Sequence, residues 1–111
     1  MTITPESIQH GRALVLRVNA DSLETDNEAA FRAAMSPLMD KSAHFVIDLT
    51  EVEFMDSTGL GAMLSCLRGI KSKGGTLRLC SLSSEVKQLF EMVMMDRVFD
   101  IFETPEDALA K

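Results

Sequence analysis

The sequence predicts an α/β fold: a mixed sheet of four to five strands, opened by an N-terminal hairpin and packed with about four helices. Two observations carry this. Strand-like runs alternate with helix-like runs from residue 13 to residue 109, the pattern of parallel strands joined by helical crossovers. Phe45-Val46-Ile47-Asp48-Leu49 is also nearly continuously apolar, as expected of a strand covered on both faces. At 111 residues, a single domain over 1–111 is expected, long enough for one core but not two.

The elements follow in order. Ala13 to Val18 reads as a strand, preceded by a turn at Gln9-His10-Gly11-Arg12. The segment from Ile3 to Ile8 pairs with it as a hairpin, and Pro5 suits an edge position because proline cannot donate to a ladder. Asn19-Ala20-Asp21-Ser22 reads as a polar loop. From Thr25 to Met39 the spacing of Ala29, Phe31, Ala34, Met35, Leu38 and Met39 fits an amphipathic helix, whose last turn Pro37 bends or cuts short.

After the strand Phe45 to Leu49, Leu60, Met63, Leu64, Leu67 and Ile70 mark one face of a second helix, which stops before Gly74-Gly75. Thr76 to Cys80 is the next strand. Ser83 or Ser84 caps a third helix with Val86, Leu89, Phe90, Val93 and Met94 facing inward. Val98 to Phe102 is a last short strand. Thr104-Pro105-Glu106-Asp107 then starts a helix: threonine caps, proline takes the first position, and two acids favour the positive dipole end.

Composition narrows the function. The net charge of −6 argues against nucleic acid, where Lys and Arg must replace phosphate counterions, and favours a basic protein partner. No apolar run is long enough to cross a bilayer and no basic-then-apolar leader is visible. A cytoplasmic protein without direct membrane insertion is expected. Cys66 and Cys80 lack metal-ligand spacing and read as free thiols in a reducing compartment. His10 and His44 belong to no ligand cluster, so no metal is expected. Without Trp or Tyr there is no platform for stacking bases or sugars, and the eight methionines read as core filler.

The chemistry concentrates in Phe54-Met55-Asp56-Ser57-Thr58-Gly59-Leu60-Gly61, a turn from strand to helix. Three readings of Ser57 compete. The plainest is that Ser57 or Asp56 is a helix N-cap, worth about 1 kcal/mol. A nucleophile would want Gly-x-Ser-x-Gly and a base; here Met55 and Gly59 flank the turn, and neither histidine has a constellation around it. A phosphate-binding loop would want a lysine after the glycines, and Asp48 and Asp56 would repel the anion.

These residues also resemble a known family. Ile47-Asp48-Leu49, then Val52 and Phe54, then Met55 to Gly61 look like the signature of the STAS domain, specifically of bacterial anti-sigma factor antagonists. Asp21 after the second strand, Gly74-Gly75, and Val98 to Phe102 running into Thr104 to Leu109 extend the likeness along essentially the whole chain.

The resemblance implies a regulator that is not an enzyme. In such proteins the serine after the aspartate is phosphorylated by an anti-sigma factor that is also an ATP-dependent serine kinase. Ser57 is the matching acceptor and Thr58 the adjacent alternative. The dephosphorylated antagonist binds that kinase and releases its target, and a PP2C-type phosphatase resets the switch. Asp21, Asp56, Ser57, Thr58, Gly59, Leu60 and Gly61 are the implied partner-binding residues, with Leu60 and Met63 more simply read as core. Asp48 is read as tying the turn through its amides. No cofactor is implied beyond the ATP used by the kinase. A phosphate adds about −1.5 to −2 charge and bulk where the partner fits a hydroxyl, so docking suffers without a change of fold. The alternatives are a STAS subunit regulating a membrane transport complex, such as a lipid-transport ATPase, and a nucleotide-binding STAS module.

Overall fold

In the computed structural model, which describes residues 1–6 and 13–110, β1 (Thr2–Glu6) and β2 (Ala13–Asn19) pair antiparallel, with Thr2 opposite Asn19. Pro5 lies on β1 at the edge of the sheet, where its missing N–H is harmless. The predicted turn at Gln9 to Arg12, with His10, lies outside the described residues, as does the Ser7-Ile8 end of the predicted first strand.

The predicted loop at Asn19 to Ser22 is shorter than expected. Asn19 ends β2, and Ser22 opens a two-residue strand, β3 (Ser22–Leu23). The first helix is also shorter: α1 spans Glu28–Met35, and a 3₁₀ turn at Ser36–Leu38 holds Pro37. The Thr25 end is uncoiled because Asn27 ties it back, accepting the Glu24 amide at 2.9 Å and donating to the Ser22 carbonyl at 2.7 Å.

Next come β4 (His44–Asp48), β5 (Phe54–Met55) and α2 (Ser57–Ser72). Gly74 follows α2 with φ +80°, a left-handed conformation that a side chain would strain, and this stops the helix where the sequence predicts. β6 (Thr76–Cys80) leads to α3 (Ser84–Met92), whose cap is Ser83: its hydroxyl accepts the Val86 amide at 3.2 Å. A 3₁₀ turn at Met95–Arg97, β7 (Asp100–Phe102) and α4 (Pro105–Ala110) complete the chain.

Two expectations fail at the end of α3. The helix stops at Met92, and Met94 takes φ +62°, so Val93 and Met94 turn outward, 41% and 58% exposed, instead of lining the core. Val98 is 42% exposed and follows the 3₁₀ turn rather than opening the last strand.

The main sheet has the order β1-β2-β4-β6-β7, parallel except at the β1–β2 hairpin. Period-two alternation divides its side chains between two layers. Leu16, Val18, Phe45, Ile47, Leu77 and Leu79 join the large cluster formed with α1, α2 and α3. Val15, Val46 and Cys80 point the other way, onto Ala108 of α4. The central strand β4 is thus covered on both faces, which is why Phe45, Val46 and Ile47 are all apolar. A separate two-stranded sheet pairs β3 with β5, parallel, with Leu23 beside Met55.

Candidate functional site

The serine turn lies beyond the C-terminal end of β4, where parallel strands deliver their loops. Asp48, 1% exposed, ends that strand. Its Oδ1 accepts the Thr50 amide at 2.9 Å and the Thr50 hydroxyl, and its Oδ2 faces Arg17 Nη2 at 3.4 Å across the β2–β4 register. Asp48 thus bonds the loop that follows β4.

Asp21 is exposed, and its carbonyl accepts the amides of Glu53 at 2.7 Å and Phe54 at 3.3 Å. It therefore holds the strand that runs into the serine turn. Glu51 and Glu53 are exposed on the loop that leads into the turn. Val52 is fully buried, whereas Phe54 is 46% exposed beside the two acids.

The cap is Asp56, not Ser57. Asp56 has extended backbone, and its Oδ1 accepts the Gly59 amide at 2.9 Å. Its Oδ2 accepts the Thr25 amide at 3.2 Å and the Thr25 hydroxyl at 3.1 Å. The Gly59 amide first, with the Thr25 amide and hydroxyl adding, holds the Asp56 carboxyl below the usual carboxylate range. Thr25 is the site residue that sequence reasoning missed, since nothing local marks a partner 31 positions away.

Ser57 opens α2 with an exposed side chain, and its hydroxyl has no hydrogen-bond partner among the described residues. Thr58 is half-buried and hydrogen-bonded to Thr25 Oγ1 at 3.2 Å. Gly59 is buried against β3: a Cβ there would meet the Leu23 carbonyl oxygen at 2.0 Å, so only glycine brings the helix start this close. Leu60 and Met63 are core, 7% and 0% exposed. Gly61 has open space where a Cβ would be.

Among the described residues no histidine stands within reach of Ser57 to act as a base. His44 stands at the opposite end of β4, hydrogen-bonded through Nδ1 to Thr76 Oγ1 at 2.8 Å. The described residues hold no cluster of three His, Cys, Asp or Glu fit for a metal. What the turn presents is an accessible hydroxyl beside an ionised carboxylate whose oxygens are taken up by Gly59 and Thr25.

Residues 4–108 match the STAS domain family. The chain belongs to that family. A STAS relative, the anti-sigma-B factor antagonist of Bacillus subtilis, is 32% identical over 87 residues, 78% of this chain and 80% of its own length. The solved anti-sigma-factor antagonist STAS-domain protein of Planctomyces limnophilus matches with a TM-score of 0.80 at 22% identity, covering 99% of this chain and 97% of that one. The Bacillus cell fate determinant SpoIIAA in its phosphorylated form matches with a TM-score of 0.68 at 20% identity, over 98% and 97%. The two structures establish that the α/β architecture above is the STAS fold.

Proposed function

We propose that this STAS domain is an anti-sigma factor antagonist switched by phosphorylation of Ser57. The observation that carries the reading is the division of labour at the turn. Asp56 caps the helix, so the Ser57 hydroxyl is exposed and free for modification. Thr58, the alternative acceptor, is engaged with Thr25. A relative 32% identical is an anti-sigma-B factor antagonist, and a structural neighbour is known in a phosphorylated form.

In this reading the dephosphorylated domain binds an anti-sigma factor that is also a serine kinase, presenting the start of α2 with Asp21 and Asp56 beside it. The kinase transfers the γ-phosphoryl group of ATP to the Ser57 oxygen, breaking its bond to the β-phosphate oxygen so that ADP leaves, while the hydroxyl proton passes to the kinase's base. A PP2C-type phosphatase hydrolyses the ester and restores the hydroxyl. The protein itself performs no catalysis and works in the cytoplasm.

Within the domain the added charge gains only the helix dipole's share, about 0.3–1 kcal/mol. Asp56 already occupies the Gly59 amide, and Asp56 is ionised at neutral pH, so the phosphate adds its charge beside a carboxylate at the docking face. About 2.7 kcal/mol of conflict with the partner weakens binding a hundredfold.

The test is incubation with the candidate kinase and ATP, followed by mass spectrometry to place the phosphate. Modification of Ser57, lost in Ser57→Ala, is expected. A protein left unmodified, or one in which Ser57→Ala is modified equally, overturns the reading and favours the transport-subunit alternative.

A further inference from the structure

The far end of α2 carries a second surface. Leu64, Leu67, Arg68 and Lys71 of α2 face Met95 and Val98 across an open groove of about 590 Å³. The chain has 17 acids against 11 bases, yet this groove is lined by two cations and no carboxylate. Neither cation forms an ion pair with a described residue. Asp96, on the same 3₁₀ turn as Met95, lines a separate groove with Glu91 and Glu103. Met92 and Met94, in the segment that leads into Met95, are 78% and 58% exposed.

We propose that this groove docks an acidic amphipathic helix of a protein partner, independently of the Ser57 switch. Arg68 and Lys71 are three residues apart on one helix face, spaced to meet carboxylates one turn apart on a facing helix. The apolar floor takes that helix's hydrophobic face, and exposed methionines adapt to its side chains. A second copy of this chain and an anionic bilayer would each set a broad negative surface against a net charge of −6; a single helix meets only the groove. Leu64 and Lys71 lie about 10 and 21 Å along the axis from Ser57, beyond the Debye length of about 8 Å at physiological salt. A phosphate on Ser57 therefore leaves this docking untouched.

The probe is a fluorescein-labelled designed helix of about 18 residues, leucine on one face and glutamate on its flanks, read by anisotropy beside its lysine-flanked counterpart. The acidic helix is expected to saturate and to bind at least about tenfold more tightly than the lysine helix. Arg68→Glu with Lys71→Glu should cost about tenfold or more, and Ser57→Asp less than about twofold. If the double variant fails to fold by circular dichroism, Arg68→Gln with Lys71→Gln is read instead, expecting about threefold. Equal binding of both helices, no saturation, or loss of binding in Ser57→Asp overturns the proposal. So does preferential binding of phosphatidylglycerol vesicles, or self-association of the free protein at the same concentrations. Because the probe is no kinase, failure here leaves the reading of Ser57 standing.

Discussion

The Asp56 carboxylate receives the Gly59 amide at 2.9 Å, and this bond caps α2 one residue ahead of the serine. Its consequence is a pH dependence. The bond lowers the Asp56 pKa in the folded state, so the stability it contributes is complete above the ordinary carboxylate value of about 3.9 and is lost as pH falls through the lower folded value. Asp56→Asn is expected to melt below wild type at neutral pH, with the gap closing once the pH drops below about 4. Thermal melts across that range check this, and a constant gap would exclude the carboxylate charge as the cause.

The same geometry predicts opposite outcomes for neighbours. Ser57→Ala removes an exposed hydroxyl with no partner among the described residues and should alter stability by less than about 0.5 kcal/mol in urea titration. Ser57→Asp places a negative charge in the first turn of α2, where the helix dipole favours it by about 0.3–1 kcal/mol. Asp56→Ala should lower the melting temperature well below either variant. If Ser57→Ala were as damaging as Asp56→Ala, capping would reside in the serine.

Gly59 and Gly61 look alike in sequence and differ in the fold. Gly59→Ala drives a methyl group into the Leu23 carbonyl, a backbone atom that cannot swing away, and should cost about 1–3 kcal/mol or more. Gly61→Ala meets open space inside a helix and should stabilise by up to about 1 kcal/mol. Under the proposed function, that added methyl also lies one helical turn from Ser57 and should weaken kinase binding measured by calorimetry. Equal stability of the two variants would contradict the close approach of α2 to β3.

The main sheet was legible because its signals are local and redundant. The apolar run of β4, the face of α2, the stop at Gly74 and the Thr104-Pro105 start each rest on a few adjacent residues. Where the reading fell short, the deciding contact is distant or the element too short for a period. β3 and β5 have two residues each and exist through each other. The apolar rhythm of α3 runs on through Val93 and Met94 although the helix ends at Met92 and the backbone turns left-handed at Met94, so periodicity overran the helix. At the site, the Asp56-Ser57 pair was visible, but which residue caps depends on Thr25 and Gly59.

Burial raises the Cys66 thiol pKa to about 11, and Cys80 is fully buried. Cys66 therefore supplies no thiolate at neutral pH, and Cys80 is shut away from solvent. Native protein at pH 7.5, about 1 unit below an ordinary thiol pKa, should react with a thiol reagent only at the rate of unfolding, whereas both cysteines label at once in denaturant. Rapid labelling of either thiol in native protein would mean that the layer around it opens readily.

Asp48 is the buried counterpart of the exposed turn, and its loss should reach Ser57 indirectly. Asp48→Ala leaves the Thr50 amide and hydroxyl without their acceptor and removes the carboxylate facing Arg17. The expected cost is about 2–4 kcal/mol, at the lower end of a broken buried pair because the Arg17 side chain is 40% exposed. Asp48→Asn keeps an oxygen for Thr50 and should cost about half as much. Since Thr50 opens the loop that leads into β5 and the serine turn, Asp48→Ala should also broaden amide signals from Val52 to Ser57 in heteronuclear NMR spectra. A variant within about 0.5 kcal/mol of wild type, with those signals unchanged, would show that the β4 end holds the turn without its carboxylate.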